Sequence, residues 1–135
     1  MMERGVVLRG RVFSGRGEGE FFVSLYAKNI ARAVGYIPYP GTLNVALEPE
    51  YIPVARKVLN NRLAVIVEPP VKGFYKIYLW RASVRGIEVH IVKPEATHYG
   101  DDVVEIIAPI SLREALALND GDPIEIVLPS EYFLE

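Results

Sequence analysis

The chain has 135 residues, half of them hydrophobic and 24% charged, so it can bury a single domain core and is too apolar to be disordered. It contains no cysteine, which excludes a disulfide framework, a thiolate nucleophile and a cysteine zinc site. Its 15 basic and 17 acidic residues give a net charge of −2, whereas a general nucleic-acid-binding protein usually carries a basic excess.

The first half of the chain is predicted to contain three strands and one helix. Val6–Phe13 and Phe21–Leu25 read as strands, and the three alternate glycines between them mark a turn. Ala27–Val34 has apolar residues at helical spacing, and Gly35 stands where a helix end favours glycine. Thr42–Leu47 alternates in the way that a strand does.

The second half is predicted to be mostly short strands, at Leu63–Glu68, Phe74–Val84, Ile87–Val92, Val103–Ala108 and Pro123–Leu128. Alternation in Ile87–Val92 puts Glu88 and His90 on the solvent face of that strand. Short helices are expected at Pro53–Leu59, where proline suits the first turn, and from Ser111, which has capping-box spacing to Glu114. Many short strands with few helices indicate a mainly β, closed barrel.

The glycines of segment 15–19 are the first candidate site. Residues without a Cβ atom let backbone N–H groups approach a phosphate closely. The segment is no Walker A loop, because no Gly-Lys-Ser/Thr follows, and no dinucleotide fingerprint, because its predicted flanks are strand and strand. A plain hairpin turn is the alternative interpretation.

Thr42 and Asn44 are the second candidate. They stand two residues apart on a predicted strand, so both side chains point to one face. Their neutral oxygens suit Mg²⁺, but two neutral ligands hold it weakly, so nucleotide phosphates would have to supply the charge. The alternative is an ordinary polar strand face.

The third candidate is the segment from Thr97 to Arg113. Glu105 stands among apolar strand residues, so its carboxylate is either solvent-facing or held for a function. A helix that starts at Ser111 would present free N–H groups to an anion, and Arg113 could add a bidentate contact.

Four segments together resemble the archaeal CTP-dependent riboflavin kinases in order and approximate spacing. They are Gly15-Arg16-Gly17-Glu18-Gly19 with Phe21-Phe22, Pro40-Gly41-Thr42-Leu43-Asn44, Glu105-Ile106-Ile107-Ala108-Pro109 with Leu112-Arg113, and Asp120-Gly121-Asp122. The similarity extends from about Val6 to Leu128 and is thin between Tyr51 and Val84.

The resemblance implies a small six-stranded cradle-loop (RIFT-like) β-barrel, with residues 1–135 as one domain and no N-terminal helix-turn-helix domain. It also implies transfer of the γ-phosphate of CTP to the 5′-hydroxyl of riboflavin, which gives FMN and CDP. The expected partners are these substrates and products and Mg²⁺. We expect a monomer that binds no nucleic acid.

The family's site residues fall on several positions of this sequence. Its magnesium ligands fall on Thr42 and Asn44, and its flavin contacts on Thr97 and Glu105. Its nucleotide contacts fall on Arg16, Gly17, Glu18, Gly19, Glu20, Phe21, Ile110, Ser111, Leu112 and Arg113. Glu105 is then a hypothetical base or orienting group for the accepting hydroxyl. Tyr36, Tyr39 and Tyr99 are further candidates as flat neighbours of a flavin.

Two other functions stay open on the sequence. The segment from the late helix to the last strand also resembles swapped-hairpin transcription factors, which would make the chain a non-enzymatic binding barrel. An ATP-using flavokinase is the second, because the residues alone do not separate cytosine from adenine. With no secretory signal and no apolar run near the roughly 18 residues of a membrane span, we expect a cytoplasmic protein without a membrane partner.

Overall fold

The computed structural model describes residues 5–15, 17–95 and 99–133, and over these residues the protein is mainly β. Seven strands occur in this part of the chain: β1 (Val6–Phe13), β2 (Leu43–Leu47), β3 (Val65–Val67), β4 (Ile77–Val84), β5 (Ile87–Pro94), β6 (Val103–Ile107) and β7 (Pro123–Leu128). The helices are α1 (Gly19–Val34), α2 (Ile52–Val58) and α3 (Leu112–Ala115), with single 3₁₀ turns at Pro49–Tyr51, Asn61–Leu63 and Ser130–Tyr132.

Six of the strands close into an antiparallel barrel. The sheet runs in the order β3-β4-β5-β6-β2-β1-β7, and β4 also pairs with β7 through Ser83 and Val127. Strand β3 therefore lies outside the closed ring, as an extra edge on β4. The predicted mainly β, six-stranded barrel is confirmed, and closure leaves only the short β3 as a free edge among the described strands.

The barrel interior is an apolar core. Leu8, Val45, Trp80 and Ile126 have essentially no exposed surface, and each comes from a different strand. Burial of one such side chain contributes roughly 1.5–3 kcal/mol. Because alternate residues of β1 point inward, its pattern of exposed and buried side chains follows the period of two expected for a strand.

A second apolar cluster lies outside the barrel, beneath α1. Val23, Tyr26 and Ile30 recur at helical spacing and pack against Leu79 and Val92 of the outer sheet face. The predicted strand at Phe21–Leu25 is therefore wrong: this segment is the first part of α1, and without it the outer face of β3 to β5 would be exposed. The predicted helix end is confirmed, with Gly35 at φ 89°.

None of the helices in the described ranges combines the length and apolar character that crossing a bilayer requires.

His90 is the clearest departure from the predicted strand pattern. The prediction put His90 on a solvent face, but the side chain is only 4% exposed. The hydroxyl of Tyr36, which follows α1, lies 2.9 Å from His90 Nδ1 and covers it. Burial lowers the pKa of His90 and raises the pKa of Tyr36. This pair fastens the segment between α1 and β2 to the barrel wall.

Two predicted strands begin later than expected. The Leu63–Glu68 prediction shortens to β3, and the Phe74–Val84 prediction loses its first three residues. Phe74 and Tyr75 instead lie exposed in the segment before β4, which has consequences for the site described below.

Candidate functional site

A cluster of three polar side chains lies where β2 pairs with β6. The ladder sets Asn44 directly opposite Glu105. The hydroxyl of Thr42 lies 3.2 Å from Glu105 Oε1 and 3.4 Å from Asn44 Oδ1, within reach of both acceptors. Asn44 is 8% exposed, so its amide is fixed by its surroundings. The predicted shared face of Thr42 and Asn44 is confirmed, and Glu105 joins it.

The glycine segment packs directly on this cluster. A Cβ atom on Gly19 would lie 2.6 Å from Thr42 Oγ1, which is too close for two unbonded atoms. A Cβ atom on Gly15 would collide with the side-chain amide of Asn44 and lie 2.8 Å from the hydroxyl of Tyr99. Glycine at these two positions is therefore what lets the chain approach Thr42 and Asn44.

The same segment opens a long helix. The expected strand-to-strand flanks are wrong, because β1 leads through the glycines into the sixteen-residue α1. The first N–H groups of a helix lack partners within it, and in the described part of the chain Glu18 makes no side-chain cap for them. These N–H groups and the positive end of the helix dipole suit an anion beside Thr42.

The turn after β6 is less helical than predicted. Ser111 does accept a hydrogen bond from the Glu114 N–H at 3.3 Å, which confirms that a helix begins there. However, α3 has only four residues, so its dipole is small. The larger helix dipole belongs to α1, and what remains at this turn is Arg113 together with backbone N–H groups.

A cavity of about 340 Å³ adjoins the cluster at Thr42, and we call it the polar cavity because Thr42, Ser111, Arg113 and Glu114 are among its lining residues. Its wall includes Thr42, Tyr39 and the predicted nucleotide-binding residues Ile110, Ser111, Leu112 and Arg113. Tyr39 and Ile110 are both 44% exposed, so two apolar side chains are available to a ligand here. This volume is at the lower end of the range for small-molecule sites.

An aromatic cavity of about 340 Å³ adjoins the cluster at Glu105, which is part of its wall. The remaining lining residues come mostly from α1 and from the segment before β4: Glu18, Gly19, Phe21, Phe22, Leu25, Tyr26, Phe74, Tyr75 and Pro94. Phe22 lies 4.9 Å from Tyr26 between ring centroids, and the Tyr26 hydroxyl donates to the Tyr75 carbonyl. The arrangement offers flat apolar surfaces with two carboxylates, Glu18 and Glu105, in the wall.

The two cavities divide the predicted nucleotide set. Ile110 to Arg113 line the polar cavity, whereas Glu18, Gly19 and Phe21 line the aromatic one. Gly17 and Glu20 are exposed beside them. Arg16 and Thr97 lie outside the described residues.

The three candidate tyrosines lie in different places. Tyr39 lines the polar cavity, and Tyr36 contacts His90. Tyr99 meets Phe13 edge-on, with ring centroids 6.0 Å apart.

The aromatic lining was missed by the sequence predictions. Phe22, Tyr26, Phe74 and Tyr75 were not assigned to a site, because Phe22 was placed on a strand and Phe74 and Tyr75 were placed on another. One signal was present: Phe22 and Tyr26 are four residues apart, the spacing of one helix face.

The donor atoms at the cluster fit a magnesium ion that is shared with phosphates. The described residues contain no group of three or more metal-binding side chains drawn from His, Asp and Glu. Thr42 Oγ1 and Asn44 Oδ1 are neutral hard oxygens on one face, and Glu105 lies within hydrogen-bond distance of Thr42. Such a set can complete the coordination of a phosphate-bound ion but cannot replace the phosphates.

Fold and site together define a small antiparallel barrel with a helix N-terminus between two ligand-sized cavities. The family model CTP-dep_RFKase, described as domain of unknown function DUF120, matches residues 12–128. The chain belongs to this family of CTP-dependent riboflavin kinase domains.

Curated relatives with the name riboflavin kinase support this membership. The protein of Pyrobaculum arsenaticum is 43% identical, over 88% of this chain and 59% of its own length. That of Archaeoglobus fulgidus is 36% identical, over 92% of this chain and 55% of its own length. That of Aeropyrum pernix is 42% identical, over 90% of this chain and 95% of its own length. The chain thus spans about three-fifths of the first of these relatives and nearly all of the last.

Proposed function

We propose that this protein is a CTP-dependent riboflavin kinase, which transfers the γ-phosphate of CTP to the 5′-hydroxyl of riboflavin and forms FMN and CDP. One observation carries the proposal. The hydrogen bond from Thr42 to Glu105 joins a wall residue of the polar cavity to a wall residue of the aromatic cavity. A phosphate donor and a flavin acceptor could therefore meet at this bond.

The aromatic cavity suits riboflavin. Its isoalloxazine ring is flat and apolar on both faces, and the side chains of Phe21, Phe22 and Tyr75 offer matching surfaces. With the ring against these side chains, the ribityl chain would reach toward Glu105, one of the two carboxylates of the wall. Thr97, which the family resemblance also assigns to the flavin, remains a prediction.

The polar cavity suits the nucleotide. Arg113 and the backbone of Ile110 to Leu112 would hold part of the phosphate chain, and Thr42 lies at the edge nearest to α1. The terminal phosphate would then lie at the N-terminus of α1, against the N–H groups of Gly19 and its neighbours. Arg16, Gly17, Glu18 and Glu20, together with the backbone of Phe21, complete the proposed nucleotide contacts by resemblance.

Thr42 and Asn44 are the proposed magnesium ligands. When bound, Mg²⁺ neutralises charge on the phosphate oxygens and helps align them with the acceptor. The protein's own part is to hold two oxygens on one strand face. The closely packed Gly15 and Gly19 restrain the Thr42 and Asn44 side chains from the other side.

Glu105 is the proposed group that orients or deprotonates the acceptor. The 5′-oxygen of riboflavin attacks the γ-phosphorus, the bond from that phosphorus to the β,γ-bridging oxygen of CTP breaks, and the hydroxyl proton passes to the Glu105 carboxylate. Phosphoryl transfer through a loose transition state needs little help from a base. Positioning of the hydroxyl is therefore the larger part of the proposed role.

The donor assay tests the proposal directly. Purified protein is incubated with riboflavin, Mg²⁺ and each of the four nucleoside triphosphates, and FMN is followed by chromatography. We expect FMN with CTP and at most a small fraction of that rate with ATP, GTP or UTP. FMN formed with ATP alone would support the ATP-using flavokinase instead. No FMN with any donor, together with steeply salt-dependent DNA binding, would support the swapped-hairpin alternative.

A further inference from the structure

Asp120 lies between the two proposed phosphate-binding elements. Ser14, the residue before the glycine segment, donates from its hydroxyl to both Asp120 carboxylate oxygens, at 3.0 and 2.9 Å. On the other side, Arg113 Nη2 lies 3.1 Å from Asp120 Oδ1. Ser14 and Arg113 are far apart in sequence, so a single carboxylate joins two distant parts of the chain.

The turn that carries Asp120 is itself well anchored. The Asn119 N–H donates to Asp122 Oδ2 at 2.8 Å, which holds the turn in shape. Backbone hydrogen bonds connect the turn to β1: the Gly121 N–H donates to the Val12 carbonyl at 2.7 Å, and the Val12 N–H donates to the Asp122 carbonyl at 3.0 Å. The Asp120 carboxylate is thus presented from a fixed backbone.

Arg113 keeps donors for a ligand while it is held. Its Nη1 donates to the Leu118 carbonyl at 3.4 Å, and its Nη2 contacts Asp120. A guanidinium has five N–H donors, so these contacts leave others for the polar cavity that Arg113 lines. The hydrogen bond from Ser14 and the contact with Arg113 lower the pKa of Asp120, so its carboxylate is charged at neutral pH.

We propose that Asp120 is a positioning residue, which fastens the glycine segment to Arg113 and so fixes the separation of the two phosphate-binding elements. The inference rests on the proposed function and adds to it a residue outside the cavity walls described above. It concerns the affinity for the nucleotide more than the affinity for the flavin, because Arg113 lines the polar cavity.

The direction in which one substitution changes the nucleotide affinity distinguishes a positioning role from a purely electrostatic one. Asp120→Asn keeps the size of the side chain and removes one negative charge near Arg113. If the charge alone mattered, the nucleotide would bind more tightly, because its phosphates would meet a more positive site. If Asp120 holds Arg113 and the glycine segment in place, the nucleotide binds more weakly.

Calorimetric titration with CDP and Mg²⁺ measures the direction of this change in affinity. We expect Asp120→Asn to weaken CDP binding by about three- to tenfold, and Asp120→Ala by at least as much, since the Asn amide can still accept from Ser14. In kinetics the KM for CTP should rise more than kcat falls. Glu125→Gln is the control, because Glu125 is also an exposed carboxylate paired with an arginine, Arg9, but lies away from both cavities.

Further measurements separate positioning from a general loss of structure. Riboflavin binding, followed by its fluorescence, should weaken less than CDP binding in Asp120→Asn, because Arg113 lines the polar cavity and not the aromatic one. Ser14→Ala and Asp120→Asn together should weaken CDP binding by less than the product of their single effects, because they remove one shared contact.

The outcomes are distinct. CDP binding to Asp120→Asn that is unchanged or tighter than in the wild type overturns the inference and leaves the proposed function standing. An equal loss of CDP and riboflavin binding also overturns it, since it reports general damage. Wild-type protein that binds no CDP contradicts both the proposed function and the inference.

Discussion

The two cavities have the same approximate volume, but different parts of the chain form them. Segments at the ends of β2 and β6 line the polar cavity, whereas α1 and the segment before β4 line most of the aromatic one. Strand β6 contributes to both, through Ile106 and Glu105, and Thr42, just before β2, joins the two cavities by its hydrogen bond to Glu105. The barrel therefore supplies a fixed centre, and the helices and loops around it decide what each side can bind.

The largest effect is expected at the centre that both sides share. Thr42→Ala combined with Asn44→Ala removes both proposed magnesium ligands, and we expect kcat to fall by about 10³-fold. Steady-state kinetics across a range of Mg²⁺ concentrations measures this loss. Asn29→Ala is a control, since Asn29 bonds the Glu68 carbonyl on another face. An unchanged Mg²⁺ dependence in the double variant would remove the metal assignment.

Glu105→Gln should have the next largest effect. The amide keeps the shape of the side chain, but it replaces one acceptor oxygen with an NH₂ donor and cannot take a proton. Both the positioning of the hydroxyl and the acceptance of its proton are disturbed, so we expect kcat to fall by about 10²-fold with both KM values nearly unchanged. Initial rates at saturating substrates measure this directly. Full activity in the variant would rule out a role for Glu105 as a base.

Gly19→Ala should separate activity from stability. The added methyl group would lie 2.6 Å from Thr42 Oγ1 and displace that hydroxyl, so we expect about a tenfold loss of kcat. Alanine also favours helix over glycine, so the thermal midpoint should not fall in proportion. Ser24→Ala, at an exposed position of the same helix, is the control. Gly19→Ala with wild-type kcat would show that Thr42 is not constrained by this contact.

Phe21→Ala tests the boundary between the two cavities. The family resemblance puts Phe21 among the nucleotide contacts, but its side chain, 66% exposed, lines the aromatic cavity. We expect riboflavin affinity to fall by about five- to tenfold, because stacking surface is lost, while CDP affinity stays the same. Fluorescence and calorimetric titrations give the two values, and Phe133→Ala is an exposed aromatic control. Weaker CDP binding with unchanged riboflavin binding would reverse the assignment.

The smallest effect is expected on stability, at the contact between His90 and Tyr36 that holds the segment between α1 and β2. Burial lowers the pKa of His90 below its ordinary value of 6.5, so the unfolded chain binds the proton more readily than the folded one. Stability should therefore fall as pH drops below 6.5, by at most about 1.4 kcal/mol per pH unit for this one group. Urea unfolding at neutral and mildly acidic pH measures the fall, which should be smaller in His90→Gln. Equal pH dependence in both proteins would contradict this account.

The barrel was predictable because its signals are local. Alternating strands such as β1 and β7 and the glycine after α1 have patterns that tertiary packing did not change. Thr42 and Asn44 were also predictable as a pair, because a strand fixes the direction of residues two apart.

The start of α1 was not predictable in the same way. Phe21 to Leu25 has the aromatic and β-branched composition of a strand, and α1 is stabilised mainly by contacts with an outer sheet face that is distant in sequence. His90 was misplaced for a related reason, since strand alternation does not report that Tyr36 covers its outer face. The aromatic cavity depends on two such features that the sequence patterns missed: the start of α1 at Gly19 and the late start of β4 at Ile77.

A crystal structure with CDP, Mg²⁺ and FMN tests the central claim most directly, namely that donor and acceptor meet across Thr42 and Glu105. We expect the CDP phosphates between Arg113 and the N-terminus of α1, with the FMN phosphate near Thr42 and the flavin ring among Phe21, Phe22 and Tyr75. A flavin ring bound in the polar cavity, or a nucleotide bound away from Thr42, would contradict it.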